Sequence, residues 1–422
     1  MSQNDSFGER LKRRRFLRAA GALGVAGTAG CLEDLQGGGG GGGGTVDVGV
    51  AIPFSGDLND FGGPMQNGFE MAQEDINAAG GPNGMDVKLH FEDTNTTSTQ
   101  GVNAANKLVD TTGVDALFGA VSSGVTISIA ESVTIPNEIL HVTPASSSPV
   151  ISTLDDDDYV WRTRTNDRFV AKVMSRIAQN NDADTAAVLY VNNDFGSALA
   201  DVFESSFDGE VTAKVGYESG ASSYQQALDK LFADDPDYVA LAGYPESGTT
   251  ILSQWYEGGY GGNWVLHTSL LSREVIDNVG AEVMNGMYGV RTKPPSGGDT
   301  EAFVSDYEEA NPDSQLFSPY SWNSYDALVS WALAAHTAGS VDSSEVKGEM
   351  RTASNPPGED VGYAEFGDGV DLIDDGSDVN YSGPSGSVDY DQNGDVASDM
   401  VIVEVVDGEF RDQETIPASE LV

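Results

Sequence analysis

The feature that most constrains this chain is a rhythm that runs once, pauses and runs again. From Thr45 onward, "TVDVGVAI" (45–52), "DVKLHFED" (86–93), "VDALFGAV" (114–121) and "EILHV" (138–142) read as strands. Between them, "MQNGFEMAQEDINAAGG", "QGVNAANKLVDTTG" and a segment opening near Ser123 carry the helical period. A tight turn cannot join parallel strands; each pair needs a crossover of a dozen or more residues, usually a helix. The pattern therefore predicts a parallel, doubly wound sheet with helices on both faces. It restarts with "TAAVLYVNND" (185–194), "GEVTAKVGYE" (209–218), "YVALAGY" (238–244) and "NWVLHTS" (263–269), again separated by helical stretches. Two such halves predict an α/β protein of two Rossmann-like lobes.

The remainder is less regular. "MYGVRTKPP" (287–295) reads as a strand followed by a Pro-rich crossover. "SWNSYDALVSWALAAH" (321–336) places Trp322, Tyr325, Leu328, Val329, Ala332 and Leu333 on one helical face, a pattern of core packing. "GSVDYDQNGDVASDMVIVEVV" is expected to form a hairpin with Asn393-Gly394 as its turn.

The first 44 residues differ in kind. "RLKRRRFLRAAGALGVAGTAGC" joins a basic region, a twin-arginine core and a short apolar run that ends at Cys31, the only cysteine. That run is too short and too Gly-rich to span a bilayer as a helix. It reads as an export signal over residues 1–30 with a lipidation box at Cys31. Thr28 stands where bacterial boxes commonly carry Leu. Residues 31–44 then read as a lipidated cysteine and a polyglycine leash that cannot pack. The expected location is the outer face of the cell membrane, with the lipid as anchor.

Charge narrows the partners. A formal net charge of -46, from 67 acidic and 21 basic residues, repels phosphates and argues against nucleic acid or anionic lipid as a ligand. The carboxylates are spread along the whole chain, as on the solvated surfaces of extreme halophiles.

Enzymatic signals are weak. The four histidines (90, 141, 267, 336) stand far apart, and none has metal-ligand spacing. No GxSxG elbow, P-loop or GxGxxG follows the first strand, so no cofactor or nucleotide is expected. "DYDQNGD" (389–395) mimics the start of a calcium loop, but Met400 holds the position that needs a bidentate Glu. A plain turn is the better reading, and no metal site is expected.

What remains is a set of loops at the carboxyl ends of strands, where open α/β sheets bind ligands. "PFSGDLNDFGG" supplies Phe54, Ser55 and Phe61, and "GAVSSGVT" supplies Ser122, Ser123 and Gly124 at a helix start. "TPASSSP" supplies Ala145, Ser146 and Ser147. The second half supplies Phe195, Tyr244, Glu246, Thr268 and Ser269. Any one of these is more often a cap or a turn. Six loops at equivalent positions in two lobes point to one cleft.

At these residues the chain resembles a known family, the type I periplasmic binding proteins of the leucine/isoleucine/valine-binding group, which serve ABC importers. The likeness runs from about 45 to 410 and is carried by "GVAIPFSGDLNDFGGPMQNGFEMAQEDINAAGG", "GAVSSGVT", "VTPASSSPVI", "WRTRTND", "NNDFGSA", "GYPESG" and "GPSGSVDYDQNGD". It implies two α/β lobes joined by three hinge crossovers and closing on a ligand. On that plan, residues 45–164 form lobe 1 and 165–290 lobe 2. Residues 291–382 return to lobe 1, and 383–422 form the hairpin and return to lobe 2. The resemblance also implies that Ser123, Gly124, Ala145 and Ser147 hold a ligand's carboxylate and amino groups. Phe61, Phe195 and Tyr244 would cover it. Where amino-acid binders place an acid for the ammonium, this chain has Ser269. The ligand class implied is an amino acid, an amide or an aromatic or aliphatic acid, with ABC permease and ATPase subunits as partners. A ligand-sensing ectodomain and a secreted hydrolase are the alternatives, and no nucleophile–base spacing supports the second.

Overall fold

The computed structural model describes residues 43–293, 298–312 and 320–421. The export signal, Cys31 and most of the glycine run lie outside them, as do Pro294 and Pro295. Each run of the rhythm becomes one sheet. In the first, strands β1 (Thr45–Ile52), β2 (Asp86–Asp93), β3 (Ala116–Gly119), β4 (Leu140–Thr143) and β5 (Val160–Arg162) pair in the order β2-β1-β3-β4-β5. Every pairing is parallel. β3, β4 and β5 are buried throughout, which their near-continuous apolar sequence requires of strands covered on both faces.

The second sheet repeats that order. Strands β6 (Thr185–Val191), β7 (Glu210–Tyr217), β8 (Tyr238–Ala242), β9 (Asn263–Leu266) and β10 (Tyr288–Thr292) pair as β7-β6-β8-β9-β10. A short ladder follows from β11 (Glu359–Val361), β12 (Val379–Gly383) and β13 (Gly386–Ser387). Then β14 (Met400–Val406) and β15 (Glu409–Ile416) extend the second sheet antiparallel beyond β10. In both lobes the winding reverses beside the first strand of the run, between β1 and β3 and between β6 and β8. That reversal opens a crevice at the strands' carboxyl ends.

Two expectations need correction. The hairpin turn is not at Asn393-Gly394. Residues 388–399 form no strand, because the Asp391 carboxylate takes the amides of Asn393 (2.7 Å) and Asp395 (3.0 Å) that a ladder would need. The hairpin is β14–β15, turned by Asp407 (φ 55°) and Gly408 (φ 78°), the paired positive values of a type I′ turn. The helix Tyr320–Ala338, for its part, is not one-faced. From Tyr320 to Ala335 every residue but Trp322 is buried, so its serines lie inside too. Ser321 Oγ donates to the Pro64 carbonyl (2.7 Å) and Ser330 Oγ meets the Tyr390 hydroxyl (3.0 Å). The helix Gly62–Ala78 approaches closely enough that a Cβ on Gly68 would lie 2.2 Å from the Ser321 carbonyl oxygen.

Where the chain passes between sheets, buried charge holds it. Arg162, fully buried at the end of β5, grips Asp395 with Nε (2.5 Å) and Nη2 (2.8 Å). It also donates to the Ser148 carbonyl (2.9 Å) and to Ser152 Oγ (2.6 Å). Burial pushes the Asp395 carboxyl up, but the Arg162 guanidinium and hydrogen bonds from Ser152 and Asn166 outweigh it and hold it below the usual carboxylate range.

Candidate ligand-binding cleft

The loops at the two crevices face each other across a small cavity of about 30 Å³. The first lobe contributes Leu58, Phe61, Val121, Ser122, Ser123, Ala145 and Ser147, the second Phe195, Tyr244, His267 and Ser269, and the long helix contributes Tyr320. A hydrogen bond from Ser148 Oγ to the Asp194 carbonyl (2.9 Å) ties the two sides together beside it.

The first wall is made of small polar groups, each fixed by a neighbour. Ser122 caps the helix Ser123–Ile129 without a side-chain cap bond, and amides in a first helical turn have no intrahelical acceptor. Ser123 Oγ accepts from the Ser148 amide (3.2 Å), which ties the β3 loop to the β4 loop. Ser147 Oγ donates to Asp167 Oδ2 (2.5 Å), while the Asp167 amide donates to the Ser147 carbonyl (2.8 Å). Asp167 opens the helix Asp167–Asn180 after the first crossover and is fully buried. Burial pushes its carboxyl up, yet the neighbouring His267 and Arg164 side chains and the Ser147 hydroxyl together hold it below the usual range.

The second wall is aromatic. Phe195 and Tyr244 stack with ring centroids 5.8 Å apart and planes at 11°. His267 meets the Phe195 ring edge-on at 4.9 Å. Asn193 Nδ2 donates to the Tyr244 hydroxyl (2.9 Å), and burial, opposed by hydrogen bonds from Ser122 and Asn193, pushes this phenol up. Phe61 closes the first-lobe side, edge-on to Tyr320 at 5.0 Å.

Not every residue singled out from the sequence reaches the cavity. Ser146 turns into the first lobe, where its hydroxyl meets Thr126 Oγ1 (2.7 Å) and the carbonyls of Val121 (3.1 Å) and Ala120 (3.3 Å). Gly124 lies beside Asp194, whose Oδ2 would be 3.0 Å from an added Cβ. Ser55 bonds Asp93, Thr268 bonds the Val290 carbonyl, and Glu246 and Phe54 are exposed. Sequence reasoning missed Leu58, Val121, His267 and Tyr320 as lining residues. For His267 the signal was present, since it stands between the end of β9 and Ser269.

His267, Asp167 and Ser269 also have the residue types of a hydrolytic triad. Nε2 of His267 lies 3.3 Å from Asp167 Oδ2, off the line of a hydrogen bond, and Nδ1 lies 2.8 Å from Ser269 Oγ. However, Nδ1 accepts the Ser269 amide (3.1 Å), and the Ser269 hydroxyl donates to the Gly243 carbonyl (2.5 Å). The imidazole lone pair a general base would use is occupied. Among the described residues, no cluster of His, Cys, Asp and Glu could hold a metal ion, and no carboxylate lines the cavity.

Comparison with known proteins places this geometry. A family model described as periplasmic binding protein matches residues 45–409. The chain is 32% identical to the chemotactic signal transduction system substrate-binding protein BasB of Halobacterium salinarum, over 88% of this chain and 89% of that protein. It is 28% identical to a Leu/Ile/Val-binding protein homolog of Brucella melitensis, over 76% and 88%. Among solved structures, a leucine binding protein of Thermotoga maritima superposes with a TM-score of 0.76 at 24% identity, covering 89% of this chain and all of that one. A solute binding protein from R. palustris in complex with benzoate gives 0.73 at 17%, covering 89% and 97%. The chain therefore belongs to the type I periplasmic binding proteins of the leucine/isoleucine/valine-binding family.

Proposed function

We propose that this protein captures a small carboxylate, with amino acids as the leading class, between its two lobes outside the cell. It then delivers the ligand to the permease and ATPase of an ABC importer. The observation that carries this reading is the cavity itself: serine hydroxyls beside a helix start on one wall, stacked rings on the other. The first wall suits a ligand's polar head and the second an apolar or aromatic tail. Relatives named for leucine, isoleucine and valine and a fold neighbour holding benzoate support both ligand classes. Nothing in this design calls for turnover, and the ligand would leave unchanged. The lipid on Cys31 would tether the protein to the membrane, and Cys31→Ser should release it into the medium.

Binding stabilises the folded state by mass action, so a true ligand raises the melting temperature. Thermal-shift screening in high salt against amino acids, amides and aromatic acids is the test, and a screen in which no small solute shifts melting sinks the reading. A second reading, delivery of the same ligand to a separate membrane signalling protein, is favoured by the similarity to chemotactic BasB. Deletion of the gene separates the two: loss of uptake supports import, whereas loss of taxis with uptake intact supports sensing.

A further inference from the structure

Among the described residues the chain passes between the lobes three times: from β5 into the helix Asp167–Asn180, from β10 toward the long helix, and from β13 into β14. A second cavity lies where these passages meet, and it shares no lining residue with the cleft. The first passage lends it Arg164 and Thr165, the second Thr292 and Lys293, and the third Ser385 and Ser398. Its volume, about 10 Å³, admits one particle the size of a water. In a chain with 67 acidic and 21 basic residues, a wall with two cations and no carboxylate runs against the composition.

Arg164 is only 3% exposed, so its guanidinium has lost its water. Of its N–H groups, Nη1 donates to Thr292 Oγ1 (3.2 Å), while Nε is buried without a partner among the described residues. Buried donors are almost always satisfied, so an orphan of this kind marks a place for an acceptor. The carboxylates nearby do not fill it. Asp167 offsets part of the Arg164 charge from outside the cavity, without a hydrogen bond to the guanidinium among the described residues. Asp399 Oδ2 lies 3.6 Å from Lys293 Nζ, beyond hydrogen-bond reach. Asp326 is taken up by the Ser385 amide (2.7 Å) and the Tyr381 hydroxyl (2.6 Å). Thr292 and Ser398 each accept a bond, from Arg164 and from Thr165 (2.9 Å), and keep a proton of their own to give. A water would bring two more protons to these donors, whereas a monatomic anion only accepts.

We propose that this cavity binds one monatomic anion of the halide class, held by Arg164 and Lys293 with the Thr292 and Ser398 hydroxyls. The site stands apart from solute capture in the cleft and does not depend on it. Each of the three passages contributes a donor, so the bound ion ties together the segments on which the lobes turn. It stabilises the arrangement in which those donors converge. Four-oxygen anions such as sulfate are too large for the space.

The test follows the melting of the full chain at constant sodium concentration, with chloride or bromide replacing gluconate, an anion too large for the cavity. Constant sodium holds the screening of the surface carboxylates fixed. Wild-type protein should gain about 2 °C or more once halide exceeds its Kd tenfold, and the gain should saturate. Lys293→Gln changes a partly exposed side chain and should melt normally in gluconate, yet need about tenfold more halide for the same gain. Arg164→Gln should lose the gain altogether. Should that variant not fold, crystals soaked in sodium bromide decide: an anomalous peak between Arg164 and Lys293 is expected in wild type, and none in Lys293→Gln. An equal halide response in wild type and Lys293→Gln would overturn the proposal. So would a water in the cavity of bromide-soaked crystals, or bromide at surface positions alone, which means an adventitious ion only.

Discussion

The first lobe meets the cleft with Ser122, Ser123, Ala145 and Ser147, and the second meets it with Phe195, Tyr244, His267 and Ser269. The two lobes wind their strands in the same order, so the loops arrive at equivalent places. Topology decides where the loops stand, and their residues decide what they can hold. The first wall is braced from behind, with Ser146 locked to Thr126, Ser147 to Asp167 and the Ser148 carbonyl to Arg162. The second wall rests on ring stacking, which tolerates sliding.

The harshest way to break this contrast is to remove the brace. Asp395→Ala leaves Arg162 buried without its carboxylate, and breaking such a pair costs about 3–5 kcal/mol. The unfolding midpoint should drop strongly, and affinity should fall even at temperatures where the variant is folded. An unchanged midpoint would mean that the first wall does not depend on its backing. The largest effect on the second wall comes from Tyr244→Ala. It deletes half of the stacked pair, and buried aromatic anchors at binding sites cost about 2 kcal/mol or more, roughly thirtyfold in affinity. Its melting temperature without ligand should move less than that of Asp395→Ala.

Neighbouring serines sharpen the comparison further. Ser146→Ala deprives a buried hydroxyl cluster of its centre and should cost about 1–3 kcal/mol of stability with little change in affinity. Ser147→Ala should do the reverse, lowering amino-acid affinity about tenfold with a smaller change in melting. If both variants behave alike, the division between brace and contact is wrong.

How much of this could be read from the sequence follows the range of each interaction. The sheets were legible because strand and helix periods are local, and the cleft was legible because Ser123, Ala145, Ser147, Phe195, Tyr244 and Ser269 all follow strand ends. Ser146 was not separable from Ser147, since a period-two alternation between neighbours looks the same in a loop facing either way. Asp167 reads in sequence as an ordinary first-turn acid after the Asn166 cap; its hold on Ser147 spans 20 positions and leaves no local trace. The misplaced hairpin had a related cause. Asn393-Gly394 carries a strong turn signal, but the Asp391 side chain takes the Asn393 and Asp395 amides, Asn355 takes the Tyr390 amide and Arg162 takes the Gly394 carbonyl, and none of these partners is visible in the local sequence.

The mildest predictions concern slopes with pH in the lobe behind the first wall. His141 lies on β4, fully buried, with Nε2 against the Gly119 carbonyl (2.7 Å), and burial lowers its pKa to about 4 from the ordinary 6.5. Its unfolded form takes a proton first as pH falls, so the stability it provides is complete above about 6.5 and is lost toward 4. Asp326 acts in the opposite sense. It sits in the long helix, buried against Tyr381 Oη (2.6 Å), and burial raises its pKa to about 7 from 3.8, against hydrogen bonds from Ser385 and Tyr381. The folded state therefore holds the extra proton between about 3.8 and 7, and stability declines as pH rises through that window. Measured against wild type, which cancels the background of surface carboxylates, Asp326→Asn should gain stability with rising pH from 4 to 7. His141→Gln should gain it with falling pH from 6.5 to 4. Each slope is at most about 1.4 kcal/mol per pH unit, the value for one proton. Buried Tyr217 and Tyr244 in the second lobe are shifted upward, so that lobe has no matching slope from these groups in the same range. Parallel slopes in the two variants would show that these groups do not titrate as their surroundings dictate.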